Sequence, residues 1–106
     1  MSYRYMRVIV FFDLPMVTSA DLREYRNFRK YLIKSGFIMM QESVYCKLAS
    51  NANTADAIIA NLRKNKPSDG LVQALKITEK QYANMEFIVG THHSEILDTV
   101  ERIVFL

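Results

Sequence analysis

With 106 residues, half of them apolar, the chain has room for one compact domain with a modest core, and its composition excludes a disordered protein. Cys46 is the single cysteine, which excludes an intrachain disulfide and a CxxC metal site, and the chain lacks both a continuous apolar stretch of membrane-spanning length and a signal-peptide start, so a cytoplasmic protein without membrane contact is expected. The formal charge of +3 is uneven, with +4 over residues 1–36, +2 over 37–77 and −3 over 78–106, which points to a polyanionic partner for the first two-thirds of the fold.

The first predicted element is a strand from Met6 to Asp13. Met6, Val8, Val10 and Phe12 form one face, and Tyr5, Arg7, Ile9, Phe11 and Asp13 the other. Both faces are apolar enough to need cover, unlike a half-buried strand. One layer of helices covers one face in a chain this short, so the second is expected to meet another subunit. Asp13 ends this strand and precedes Leu14-Pro15. A carboxylate at the end of a buried strand is costly to desolvate unless a metal, a donor or a cation binds it. Equally, aspartate before a proline-containing loop is a common turn or cap residue. Both readings stand at this point.

A helix is predicted to open at Thr18, where Asp21 three residues on completes a capping-box-like pair, and to stop at Gly36. Leu22, Tyr25, Phe28 and Leu32 recur between them at helical spacing. Two short strands follow, Phe37 to Gln41 and Val44 to Ala49, joined as a hairpin around Glu42-Ser43. A second helix is placed from about Thr54 to Lys64, with Ala57, Ile58 and Leu62 inward. The run Lys66-Pro67-Ser68-Asp69-Gly70 is a turn, and Leu71 to Ile77 a fourth strand. The order β-α-β-β-α-β is that of a ferredoxin-like α+β sandwich, a four-stranded sheet with both helices on one face, here dimerising through the bare sheet face. Residues 1–106 form one domain, in which 78–106 is a C-terminal extension. That extension should contain a turn of helix at Glu79 to Asn84, a strand at Glu86 to Val89, and a terminal apolar run, Ile103 to Leu106, that completes a sheet edge, within the chain or across the dimer.

On the first helix the apolar residues cluster near about 280° on a helical wheel, taking Leu22 as zero, while Arg23, Arg26, Lys30 and Lys34 fall between about 40° and 120°. This stripe holds no acid, unlike the mixed-sign surface of an ordinary solvated helix, and lets successive side chains follow a phosphate backbone. Arg29 lies at its apolar margin, where the stem can pack while the head reaches out. His92-His93 lack the spacing of a helical zinc pair and fit a loop. Cys46 fits a small packing residue of the third strand. Ser43 and Tyr45 are candidates for supporting Asp13 or touching nucleic acid. Three scattered glycines exclude a phosphate-binding P-loop. One carboxylate is too few for metal-dependent phosphodiester cleavage, but a twofold axis near the first strand would bring two Asp13 side chains together.

These residues resemble a known family, the smaller of the two universal CRISPR adaptation proteins, over essentially the whole chain. The marks are Phe11-Phe12-Asp13-Leu14-Pro15 at the strand end, the Arg- and Lys-rich first helix closing at Gly36-Phe37, and Gln41-Glu42-Ser43-Val44-Tyr45 in the hairpin. Phe28-Arg29-Lys30-Tyr31-Leu32, Gly36 to Gln41 and Thr78-Glu79-Lys80-Gln81-Tyr82 most resemble members from type II systems. The resemblance implies a dimeric, ferredoxin-like, metal-dependent endonuclease with Asp13 as the catalytic residue and ligand of Mg2+ or Mn2+ at the dimer axis. It also implies that the dimer bridges dimers of the larger integrase subunit and holds prespacer duplex DNA on its basic surface, with RNA as a further substrate. Many members have Tyr before the aspartate, where this chain has Phe12. Two other functions fit the fold class: a stand-alone, toxin-like endoribonuclease, and a regulatory domain that binds a small ligand in a polar pocket.

Overall fold

The computed structural model describes residues 4–91. Seven elements follow one another: β1 (Met6–Asp13), α1 (Ser19–Lys34), β2 (Ile38–Gln41), β3 (Val44–Ala49), α2 (Ala52–Lys64), β4 (Leu71–Thr78) and α3 (Glu79–Ala83). The strands make one antiparallel sheet in the order β2-β3-β1-β4. This is the expected ferredoxin-like α+β arrangement, with β1 and β3 central.

The boundaries of α1 follow from two local devices. Thr18 accepts from the Asp21 N–H while the Asp21 carboxylate accepts from the Thr18 and Val17 N–H groups, so the capping box forms with aspartate in the usual glutamate place. Those backbone donors, Thr18 first, hold the Asp21 carboxyl below its ordinary range. The charged carboxylate is the form that caps, so its contribution is complete at neutral pH and is lost as the medium becomes strongly acidic. At the other end, Gly36 N–H donates to Ile33 O and Phe37 N–H to Leu32 O, the Schellman pattern, with Gly36 at φ +96°. Phe37 belongs to this cap and to the core rather than to β2. The second helix starts at Ala52, not at Thr54, because the Asn51 side chain is the cap and Thr54 N–H its donor at 2.8 Å.

The core lies between the helices and one face of the sheet: Val8, Val10 and Phe12 of β1, Phe28 and Leu32 of α1, Ala55, Ile58 and Leu62 of α2, and Tyr45 and Ala49 of β3. Ala55, Ile58, Ile59 and Leu62 give α2 its i, i+3, i+4, i+7 stripe; Ala57, expected inward, faces outward, one residue off that stripe. Phe12 centres an aromatic cluster, edge-on to Phe28 at 5.3 Å, stacked on Tyr45 at 5.7 Å and tilted against Tyr25 at 6.1 Å. Such pairs contribute about 0.5–1.5 kcal/mol each beyond the area they bury.

The opposite sheet face is not fully bare. Arg7 projects from it and fastens α3: Nε donates to Glu79 Oε1 at 2.7 Å, Nη2 donates to Oε2 at 3.2 Å, and the guanidinium lies 4.2 Å from the Tyr82 ring centre. The Tyr82 hydroxyl approaches Cys46 Sγ at 3.9 Å, and burial pushes the phenol up from its ordinary range. Cys46 is therefore a packing residue under α3. Beyond this clamp the face stays apolar and exposed at Phe11, Leu48, Leu71 and Leu75. The segment Glu86 to Val89, expected as a strand, is not a strand of the sheet among the described residues: the chain bends at Ile88 and Val89 before Gly90 at φ +105°. His92, His93 and the run Ile103 to Leu106 lie outside the described residues. No helix among the described residues is long and apolar enough to cross a membrane.

Candidate nucleic-acid interface and acidic site

Alternation along β1 puts Asp13 on the exposed face with Phe11, next to Leu71, its partner in β4. Its side chain is exposed in the single chain, so the desolvation expected from sequence does not arise there. The strand runs apolar to Phe12, but the sheet ends at Asp13, and at that end only the helix side is covered among the described residues. The turn reading fares no better. Among the described residues the Asp13 carboxylate accepts no hydrogen bond and pairs with no cation. Its neighbours show what capping looks like, for Asp21 caps α1 and Asp69 Oδ1 accepts from the Gly70 N–H at 2.7 Å. The result is an uncommitted carboxylate on the rim of an apolar sheet face.

Backbone around Asp13 is held closely. Phe12 N–H donates to Ser43 O at 3.1 Å, which extends the β1–β3 ladder into the hairpin turn, where Ser43 adopts φ +70°. Ser43 thus supports the Asp13 end through its carbonyl. On the other side, Gly70 at φ +93° sits so close that a Cβ there would lie 2.9 Å from Asp13 O and 2.8 Å from Leu14 Cδ2. Sequence reading placed Gly70 only in a turn; its contact with Asp13 becomes visible with the β1–β4 register. Gly70→Ala should therefore cost more than Gly36→Ala. Both impose a left-handed conformation on alanine, about 1–2 kcal/mol, but the Gly36 position meets only the flexible Lys47 side chain at 3.5 Å. We expect a total of roughly 2–4 kcal/mol at Gly70 from urea unfolding. Equal losses at the two glycines would show that the contact with Asp13 O relaxes freely.

Tyr45 does not reach Asp13. Pairing of Val10 with Tyr45 directs its ring to the helix side, where it is 2 % exposed, and its hydroxyl accepts from Arg29 Nε at 2.8 Å. The same alternation turns Phe12 away from Asp13, so a tyrosine hydroxyl at that position would also lie on the far side of the sheet from the carboxylate.

Arg23, Arg26, Lys30 and Lys34 are all exposed on α1, away from buried Phe28 and Leu32. Among the described residues the salt bridges are Arg7–Glu79 and Lys76–Asp56, so none of the four is neutralised. The stripe predicted from sequence is one continuous positive edge. Lys47, by contrast, is committed to the Ser35 carbonyl at the end of α1. It lines a cleft of about 220 Å³ with Tyr31, Ser35, Phe37, Ile58 and Asn61. That cleft is small for a ligand site, commonly about 300–1,000 Å³, and its cation is already used.

A divalent cation of the magnesium class takes hard oxygen donors. No group of three or more His, Cys, Asp or Glu side chains that could hold an ion occurs among the described residues. The described residues of one chain therefore do not build the site. Two copies joined across their exposed sheet faces would present two Asp13 carboxylates, a donor set of the right chemistry.

Comparison with known proteins gives a consistent picture. The family described as CRISPR associated protein Cas2 matches residues 6–85. A protein of Treponema denticola called CRISPR-associated endoribonuclease Cas2 is 57% identical, covering 95% of this chain and all of its own length. Proteins of the same name from Ligilactobacillus salivarius and Streptococcus mutans are each 44% identical over 95% of this chain, covering 100% and 93% of their own lengths.

Proposed function

The chain belongs to the CRISPR-associated Cas2 family, and from that membership we propose that it works as a homodimeric, divalent-metal-dependent endoribonuclease of the spacer-acquisition machinery. In the cytoplasm the dimer holds prespacer duplex DNA along its α1 stripes and bridges dimers of the larger integrase subunit. The observation that carries this reading is Asp13, an exposed carboxylate that caps nothing among the described residues and borders the apolar face of Phe11, Leu71 and Leu75. Packing two such faces buries the apolar surface and brings the two carboxylates into one site. Mg2+ or Mn2+ held by the pair would supply positive charge beside a scissile phosphodiester. The residues of the chain do the rest: Gly70 and Ser43 fix the backbone at Asp13, and Arg23, Arg26, Lys30 and Lys34 bind the phosphates.

Leu75 tests the arrangement, because it is exposed in the single chain and lies on the face that must pair. Light scattering should return a dimer for the wild type, with an interface of about 1,600 Å² or more, and a monomer for Leu75→Asp at the same concentration. The monomer should lose divalent-dependent RNA cleavage while melting within a few degrees of wild-type subunits. A Leu75→Asp dimer that still cleaves RNA would remove the sheet face as the interface. Copurification of an integrase-like partner with the native protein separates this role from that of a stand-alone endoribonuclease.

A further inference from the structure

The α1 stripe is flanked by a residue whose geometry differs from the rest. Arg29 is exposed, yet its Nε donates at 2.8 Å to the hydroxyl of Tyr45, a side chain 2 % exposed. Tyr45 is itself immobilised, stacked on Phe12 at 5.7 Å and paired with Val10 in the central ladder. A guanidinium carries five N–H donors in a rigid fork. One is spent on Tyr45, and among the described residues the other four meet no carboxylate at ion-pair distance. Among the described residues Arg23, Arg26, Lys30 and Lys34 have no such internal tether.

We infer that Arg29 is a pre-oriented phosphate-binding fork beside the α1 stripe, and that buried Tyr45 is its positioning residue. This rests on the proposal that α1 binds a nucleic-acid backbone. On the helical wheel Arg29 sits at about −20°, between the apolar arc and the stripe and about 60° from Arg26, so it borders the stripe. Fixing the side chain before binding removes the ordering cost that a free arginine meets on the complex. Bidentate contact with a phosphate needs the planar fork, which a lysine does not offer. A tyrosine that touches no ligand thereby acts on affinity through one hydrogen bond.

Binding of a fluorescent blunt DNA duplex of arbitrary sequence, titrated over a range of salt, tests this with the full chain. Arg29→Ala should weaken binding about tenfold and make the slope of log K against log salt less negative by about 1 per subunit. Arg29→Lys should restore the slope but not the affinity. Tyr45→Phe keeps the buried ring and should weaken binding about threefold with the slope unchanged. The decisive arm is the double variant: Tyr45→Phe should cost nothing further once Arg29 is alanine. Losses that multiply in the double variant, or an Arg29→Ala protein that binds as wild type, would make Arg29 only a partner that satisfies a buried hydroxyl. Arg26→Glu with Lys30→Glu keeps the two levels apart. If that variant binds as wild type, the α1 interface itself is wrong; if it binds weakly while Arg29→Ala does not, only the role of Arg29 falls.

Discussion

Replacing Arg26 and Lys30 together by glutamate should weaken duplex binding by at least about a hundredfold at moderate salt and leave the fold intact. Each is exposed on α1, on the side away from buried Phe28 and Leu32, and neither has a carboxylate partner among the described residues. Losing them therefore removes no ion pair or side-chain hydrogen bond among the described residues, and the helix keeps its capping box and its Schellman end. The effect on binding is larger because the charges act together. The four stripe cations from each of two subunits neutralise about eight phosphates and contribute about −7 to the wild-type slope of log K against log salt, beside the contribution of Arg29. Reversing two per subunit leaves about four of these contacts, a contribution near −3.5, and adds repulsion. Fluorescence anisotropy across a salt series measures both quantities, and a thermal melt checks the fold. Wild-type affinity with a wild-type slope would mean that the stripe is a solvated helix face and that the duplex binds elsewhere.

This stripe was fully visible in the sequence because a helical period and unmixed charge are local properties. So were the ends of α1, where Thr18, Asp21 and Gly36 act on neighbours within one turn. Sequence reading failed where the deciding contact is distant or where two local candidates compete. Asn51 and Thr54 are both good caps, and only the hydrogen bond between them shows which is used. Alanines report helix faces poorly because they cost little on either side, hence Ala57 in place of Ala55. The α3 clamp joins Arg7 to Glu79, 72 positions apart. Its one trace in the sequence is a charged residue inside an apolar strand. Glu86 to Val89 had strand-like composition, but composition does not show where the chain bends, as it does at Ile88 and Val89. At the site, the position of Asp13 was legible and its exposure was not, since exposure depends on where the sheet ends. The part played by Tyr45 followed from alternation in β3 once the register with β1 was known.

Asp13→Asn should abolish divalent-dependent RNA cleavage, a loss of three orders of magnitude or more on the scale of removing an essential metal ligand or nucleophile activator. Duplex binding should stay within about twofold of wild type, because the phosphate contacts come from α1 and not from the sheet rim. Stability provides the independent readout. Two carboxylates brought together across an interface repel, and a cation between them relieves the repulsion. The wild-type dimer should therefore gain about 1.4 kcal/mol when magnesium is raised to tenfold above its dissociation constant, and Asp13→Asn should gain nothing. Without metal the order reverses: the amide variant, free of the repulsion, should melt above the wild type. A structural aspartate predicts the opposite, since removing its charge would cost a cap or a turn, as it would at Asp21 or Asp69, whose carboxylates accept backbone N–H groups. Asp13 accepts none among the described residues, so its substitution sacrifices no hydrogen bond. Calorimetric melts of both proteins with and without magnesium, run beside an RNA cleavage assay, decide the matter. A variant less stable than wild type without metal, or a wild type indifferent to magnesium, would leave a dimer that holds nucleic acid without cutting it.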